Sequence, residues 1–172
     1  FLPQQPIVFT GTLEELLCYP PTVTAAKSRY GGDSFRKPNA SAVCSARLRH
    51  QLEELVVLLD LKSILGLAGW RDASYDWSTL SQGEKQRVAL IRLLVSADTP
   101  FGAPRMAVLD EAFTALDPSM MAFCLQMLHD RLASAGTTLV FVSHLDHRLE
   151  RFVEGRIIVL ERNGEPRVAQ PQ

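Results

Sequence analysis

Leu80-Ser81-Gln82-Gly83-Glu84-Lys85-Gln86-Arg87, followed by Met106-Ala107-Val108-Leu109-Asp110-Glu111, is the stretch on which the reading of this chain turns. Ser81 with Glu84 three residues later is a capping box. The hydroxyl can accept from the Glu84 N–H, and the carboxylate can reach back to the Ser81 N–H. This predicts a helix over about 82–97. Apolar residues then run into two adjacent carboxylates, the composition of a buried-type strand over 105–109 that ends in acids. Taken singly, neither piece is specific. A capping box more often does no more than start a helix, and strands ending in solvated acids are common. Their order along the chain carries the information.

Working outward, Phe1 to Pro3 reads as the end of a strand. Thr12 to Cys18 reads as a short helix with Thr12 as N-cap and Glu15 as its capping-box partner, stopped by Pro20-Pro21. Residues 22–46 carry Gly31-Gly32, Ser and Asn without periodicity, which predicts a loop or insertion. Leu48, Leu52, Leu55, Val56 and Leu59 repeat at helical spacing. Residues 98–104, with two prolines and a glycine, predict a surface loop. Asp117-Pro118 places an N-cap and an N1 proline ahead of a helix ending near Gly136. A second buried-type strand follows at 138–142, then a short helix at 145–152 and a strand at 156–161, with Asn163-Gly164 as a hairpin turn. Strands alternating with helices imply an α/β fold with a mainly parallel sheet, beside a mostly helical middle.

Composition narrows the function classes. The 172 residues suffice for one domain with a core, and 47% apolar with 22% charged residues is ordinary for a globular protein. A net charge of −1 gives no electrostatic reason for a nucleic-acid partner. Cys18, Cys44 and Cys124 are far apart and odd in number, so neither a zinc nor a disulfide pattern is formed, and a reducing compartment is expected. His144 and His147 have no third ligand in view and do not make a metal pair credible. No run reaches the roughly 18 apolar residues that would span a bilayer.

The quoted stretch resembles the signature motif and Walker B strand of an ATP-binding cassette, the ATPase engine of ABC transporters. Further parts fall in the family's order. Phe113-Thr114-Ala115-Leu116-Asp117 resembles the D-loop, His144 stands where the family has its switch histidine, and Gln4 in Leu2-Pro3-Gln4-Gln5-Pro6 resembles the Q-loop. The run Gly11-Thr12-Leu13-Glu14-Glu15-Leu16-Leu17-Cys18-Tyr19-Pro20 is similar to one branch, which holds the peroxisomal fatty-acyl half-transporters (subfamily D) and related bacterial proteins. Asp76-Trp77 points the same way. The resemblance implies a P-loop NTPase-type fold with a helical subdomain over about 12–97 and a catalytic core over 1–9 and 104–162, all within one ATPase domain. It implies ATP and Mg²⁺ as cofactors. Asp110, with Gln4, would hold Mg²⁺, and Glu111, His144 and Gln4 would be catalytic. Ser81, Gln82, Gly83, Glu84 and Asp117 would face the nucleotide. A second cassette, identical or not, would complete the site. A transmembrane domain is expected upstream, with the cassette on the cytosolic side of a membrane, a peroxisome-type membrane being one option.

Two departures matter. Gln82 stands where the family's Leu-Ser-Gly-Gly-Gln has glycine, which adds a side chain beside a phosphate-facing turn. No Gly-x-x-x-x-Gly-Lys-Ser/Thr loop occurs, since none of Lys27, Lys37, Lys62 and Lys85 sits in a Gly-rich turn before a helix. In the family that phosphate cradle precedes the Q-loop. The opening on an apolar Phe1-Leu2 therefore gives the expectation of a fragment that continues upstream, inactive as an ATPase alone. Two alternatives stay open: a non-transport ABC ATPase of the chromosome-maintenance kind, and a non-catalytic module that pairs with a complete cassette.

Overall fold

The computed structural model describes residues 1–6, 11–18, 46–64, 76–98, 102–144, 157–160 and 166–169. Pro20-Pro21, residues 22–45 of the loop expected at 22–46, the centre of the 98–104 loop, His147, the helix expected at 145–152 and the Asn163-Gly164 turn lie outside those residues, while Ala46 is already helical.

Local signals account for most element starts. Helix α1, Leu13–Leu17, begins at Thr12, whose hydroxyl accepts from the Glu15 N–H at 3.1 Å while Glu15 Oε2 accepts the Thr12 N–H at 2.9 Å. Helix α2 spans Ala46–Leu58 and buries Leu52, Leu55 and Val56, with Leu59 following in its terminal turn. Helix α3, Gln82–Ser96, starts at the Ser81–Glu84 capping box. Helix α4, Pro118–Arg131, starts at Asp117, whose carboxylate accepts from the N–H groups of Ser119 and Met120 at 2.9 and 3.0 Å. A 3₁₀ turn and Gly136 in the left-handed region, φ 86°, end that segment.

Helix α3 is the central element. Val88, Ala89, Leu90, Ile91, Leu94 and Val95 are all buried, too many for one stripe, because α1, α2 and α4 all pack against this helix. Each fully buried Leu or Ile contributes about 1.5–3 kcal/mol relative to an exposed one. Polar bonds tie the helical part together. Arg49 pairs with the buried Glu14 at 2.9 Å, Trp77 donates its indole N–H to the Gly11 carbonyl at 2.6 Å, and Arg92 donates to the Leu16 carbonyl.

Strands β1, Met106–Asp110, and β2, Thr138–Val142, pair in parallel, from Met106 opposite Thr138 to Asp110 opposite Val142. Helix α4 is the crossover such a pair requires. Leu2 flanks the other edge of β1 as a parallel bridge. Its N–H donates to Val108 O at 2.8 Å, and its carbonyl accepts the Asp110 N–H at 2.9 Å. Of the strand end expected at Phe1 to Pro3, the structure shows this single bridge residue. Strands β3, Ile157–Leu160, and β4, Pro166–Ala169, form a separate antiparallel pair.

One expectation is corrected. Neither β1 nor β2 is buried on both faces. Ala107 and Leu109 are buried and Leu139 and Phe141 pack against the core, but Met106, Val140 and Val142 are exposed. Parallel sheets bury both faces only where helices cover both. Here the described core lies on one side.

Candidate functional site

The C-terminal ends of β1 and β2 bring Asp110, Glu111 and His144 together. Glu111 leaves the strand with φ 49°, a left-handed conformation that costs a non-glycine residue roughly 1 kcal/mol. Its N–H still donates to Val142 O at 2.8 Å, so the turn stays attached to β2. The side chain folds back into the protein, only 10% exposed, and its Oε1 accepts the backbone N–H of His144 at 2.8 Å. The His144 ring projects into solvent, with Nε2 3.7 Å from the same oxygen. One carboxylate oxygen of Glu111 is thus fixed and the imidazole is placed beside it. Asp110 is half-buried, and its backbone N–H is fixed by Leu2.

The N-terminus of α3 lies against the turn that follows Glu111. A Cβ on Gly83 would stand 2.9 Å from the carbonyl oxygen of Ala115, so only glycine allows this approach. Ser81 donates its N–H and its hydroxyl to Glu84 Oε2, at 2.8 and 2.7 Å. The Ser81 hydroxyl is the main reason the Glu84 carboxyl is held below its ordinary value of 4.5. The N–H groups of Gln82 and Gly83 belong to the first turn, which has no intrahelical acceptors. The Gln82 side chain, which departs from the resembled pattern, turns aside and donates to the Gln4 carbonyl at 2.7 Å. Gln4 itself is exposed. Asp117 is engaged as the N-cap of α4.

One residue was missed by sequence reasoning. Gln86 is 1% exposed and fully hydrogen-bonded within the turn. Its amide N–H₂ donates to the Glu111 carbonyl at 3.2 Å and to Thr114 Oγ1 at 3.1 Å, and its Oε1 accepts the Ala115 N–H at 3.1 Å. The signal was available: Gln86 shares a helical stripe with Ala89 and Leu90, and a polar side chain among apolar ones demands partners.

The arrangement suits a magnesium–phosphate ligand in part. Asp110 and Gln4 offer oxygen donors of the hard type that Mg²⁺ takes, and Mg²⁺ keeps several waters and uses phosphate oxygens for the rest. Among the described residues, no group of three or more His, Cys, Asp or Glu is arranged to hold a metal by itself. Among the described residues a cysteine nucleophile has no support. Cys18 and Cys124 are buried, and burial pushes the Cys124 thiol up to about 12. No helix among the described residues is long and apolar enough to cross a membrane.

Comparison with known proteins bears on the family and the fold. Residues 66–130 match the family model described as SbcC/RAD50-like, Walker B motif. The chain is 32% identical to ABC transporter D family member 2, chloroplastic, of Arabidopsis thaliana, over 84% of this chain and 20% of that protein. It is 40% identical to the methionine import ATP-binding protein MetN of Haemophilus influenzae, over 54% of this chain and 24% of that protein. The chain thus spans about a fifth to a quarter of these relatives. Among solved structures, an ATP-binding subunit of an ABC transporter matches 88% of this chain and 50% of its own, with TM-score 0.58 and 21% identity. A bacterial Atm1-family ABC exporter with ATP bound matches 87% of this chain and 21% of its own, with TM-score 0.55 and 20% identity. At such identities these two show the fold alone.

Proposed function

The chain belongs to the ATP-binding cassette ATPases, and from that premise we propose that it forms the signature-bearing part of a transporter cassette that hydrolyses ATP to drive a solute across a membrane. The observation that carries the reading is the Glu111 carboxylate, buried at the end of β1 and pinned at 2.8 Å by the His144 N–H, beside a helix N-terminus packed on the adjoining turn. Residues 12–97 act as the helical subdomain, and 1–9 with 104–162 as part of the catalytic core.

In this reading Glu111 is the general base. One oxygen is held by His144, and the carboxylate orients the attacking water and takes its proton. The exposed His144 ring reaches the γ-phosphate from β2. Gln4, beside the edge of β1, would contact the water and the metal. A bound Mg²⁺ would neutralise charge on the phosphate oxygens, with Asp110 through water and Gln4 as the residues of this chain that hold it. The N-terminus of α3 meets the γ-phosphate of ATP carried by a second cassette. The N–H groups of Gln82 and Gly83, with the helix dipole, are the donors aimed there, while the Ser81 hydroxyl is shared with Glu84. Because Gln82 turns toward Gln4, its side chain leaves that turn open. Asp117, at the end of the D-loop-like turn, lies on the same partner-facing side.

The partners proposed are that second cassette and a membrane-embedded domain. The test is Glu111→Gln in the full-length protein. The variant is expected to bind Mg-ATP and accumulate the ATP-bound paired state without turnover. Steady-state hydrolysis at the wild-type rate would remove Glu111 from the general-base role.

A second reading, an ABC ATPase of chromosome maintenance, is favoured by the family model matched at residues 66–130. That segment holds the signature turn, strand β1 and the turn after it, parts the two classes share. Stimulation of the full-length protein's ATPase by duplex DNA rather than by reconstitution into lipid would favour the second reading.

A further inference from the structure

We infer that Gln86 is the positioning residue that sets Glu111 for hydrolysis, and that it does so from the helix whose N-terminus faces the partner cassette's nucleotide. The inference rests on the general-base reading of Glu111. Glu111 occupies a left-handed conformation, φ 49°, which persists only where its surroundings impose it. Its N–H is held by Val142 O at 2.8 Å. Its carbonyl is held by the Gln86 amide at 3.2 Å and the Thr114 hydroxyl at 3.1 Å. With both ends of the residue anchored, φ and ψ are set together and the carboxylate is aimed at the His144 N–H. Remove Gln86, and the carbonyl side keeps only Thr114, whose hydroxyl at 3.1 Å and N–H at 3.4 Å belong to the same turn and move with it.

Gln86 also binds the far side of the turn. Its Oε1 accepts the Ala115 N–H at 3.1 Å, while the Ala115 carbonyl abuts Gly83. Two residues three apart on α3 therefore clasp the two peptides on either side of Ala115 in the D-loop-like turn. A displacement of the α3 N-terminus on meeting a phosphate carries Ala115, Thr114 and the Glu111 carbonyl with it. A fully satisfied amide network in a buried setting is stiff enough to transmit such a shift.

The experiment measures ATP turnover of the full-length protein in lipid, with Gln86→Met and Thr114→Val each made alone and with Glu111→Gln. Methionine matches the length of glutamine and removes all three hydrogen bonds. The expected result for Gln86→Met is a kcat lower by about tenfold to a hundredfold, since small misplacement of a catalytic group costs that much. KM for ATP stays within about twofold, because no ATP-contacting group is lost. In the Glu111→Gln background the same substitution adds almost nothing, the signature of residues acting as a unit. Thr114→Val, on an exposed turn, folds whatever Gln86→Met does, and lowers kcat by a few-fold with KM unchanged. Wild-type kcat in either variant, a raised KM at unchanged kcat, or an equal loss with and without Glu111 overturns the inference alone. An inactive wild-type protein, or full turnover in Glu111→Gln, overturns the reading beneath it and takes this inference with it.

Discussion

A methyl group on Gly83 would meet the carbonyl oxygen of Ala115 at 2.9 Å, and that oxygen belongs to backbone already held by Gln86. Neither side can yield cheaply, so Gly83→Ala is expected to destabilise the chain by about 1–3 kcal/mol, the usual cost of overpacking. Urea denaturation checks it, and a midpoint unchanged from wild type would show that the turn gives way freely. Two positions away from Gln82, Glu84 has a different liability. Ser81 lowers the Glu84 carboxyl from 4.5, so the folded state favours the charged form. The resulting stability is present above 4.5, the unfolded value, and is lost as the pH falls through the lowered folded value. Glu84→Gln keeps an acceptor for the Ser81 N–H without titrating. Unfolding midpoints measured from neutral pH down through that window should therefore fall further for wild type than for the variant. Parallel pH profiles would count against the Ser81–Glu84 bond as the cause.

Elements are joined by side chains that reach across the fold, and Arg87 does this for α2 and α3. Its Nη1 donates to the carbonyls of Leu59 and Asp60 at 2.9 and 3.1 Å, at the C-terminus of α2, where Asp60 turns left-handed at φ 53°. A cation at a helix C-terminus satisfies orphan carbonyls and complements the dipole. Arg87→Met keeps the stem and removes the donors. It is expected to cost about 2 kcal/mol, with most of the loss in urea unfolding monitored by helical circular dichroism. A change below about 0.5 kcal/mol would make the contact a surface one. The contrast with the helix starts explains what the sequence could reveal. Thr12 with Glu15, Ser81 with Glu84 and Asp117-Pro118 act within three residues, so their spacing alone marked three helices correctly. The apolar period of α2 and the strands β1 and β2 were legible for the same local reason. Arg87 on Leu59, Gln86 on Glu111 and Gln82 on Gln4 span 28, 25 and 78 residues. No local period encodes such pairings. Asp110, Glu111, His144 and the 81–84 turn were singled out through their order along the chain, while Gln86, which ties α3 to the turn after Glu111, was not.

At the scale of the whole molecule, the two faces of the β1–β2 sheet differ in a way the strand composition hid. Both strands are apolar enough to be buried on both sides, yet Met106 is 60% exposed and Val142 50%. Val140 stands between them in the paired register, opposite the half-buried Val108. A contiguous apolar strip on paired strands is unusual for a surface, where isolated apolar residues are the norm. The opposite face, with Ala107 and Leu109, packs on the core with Phe113 and Phe141 at a ring separation of 6.3 Å. Exchanging valine for threonine on the exposed side keeps the β-branched shape and the strand preference while removing apolar surface. The 172-residue chain is therefore expected to bind an apolar-surface dye such as ANS in its folded state. The double substitution Val140→Thr and Val142→Thr should reduce that signal by about half or more without lowering the unfolding free energy by more than about 1 kcal/mol. The same pair placed inward would cost several times that, because two hydroxyls would lose water without gaining partners. Undiminished dye binding, or a collapse in stability, would mean that this face is packed rather than open.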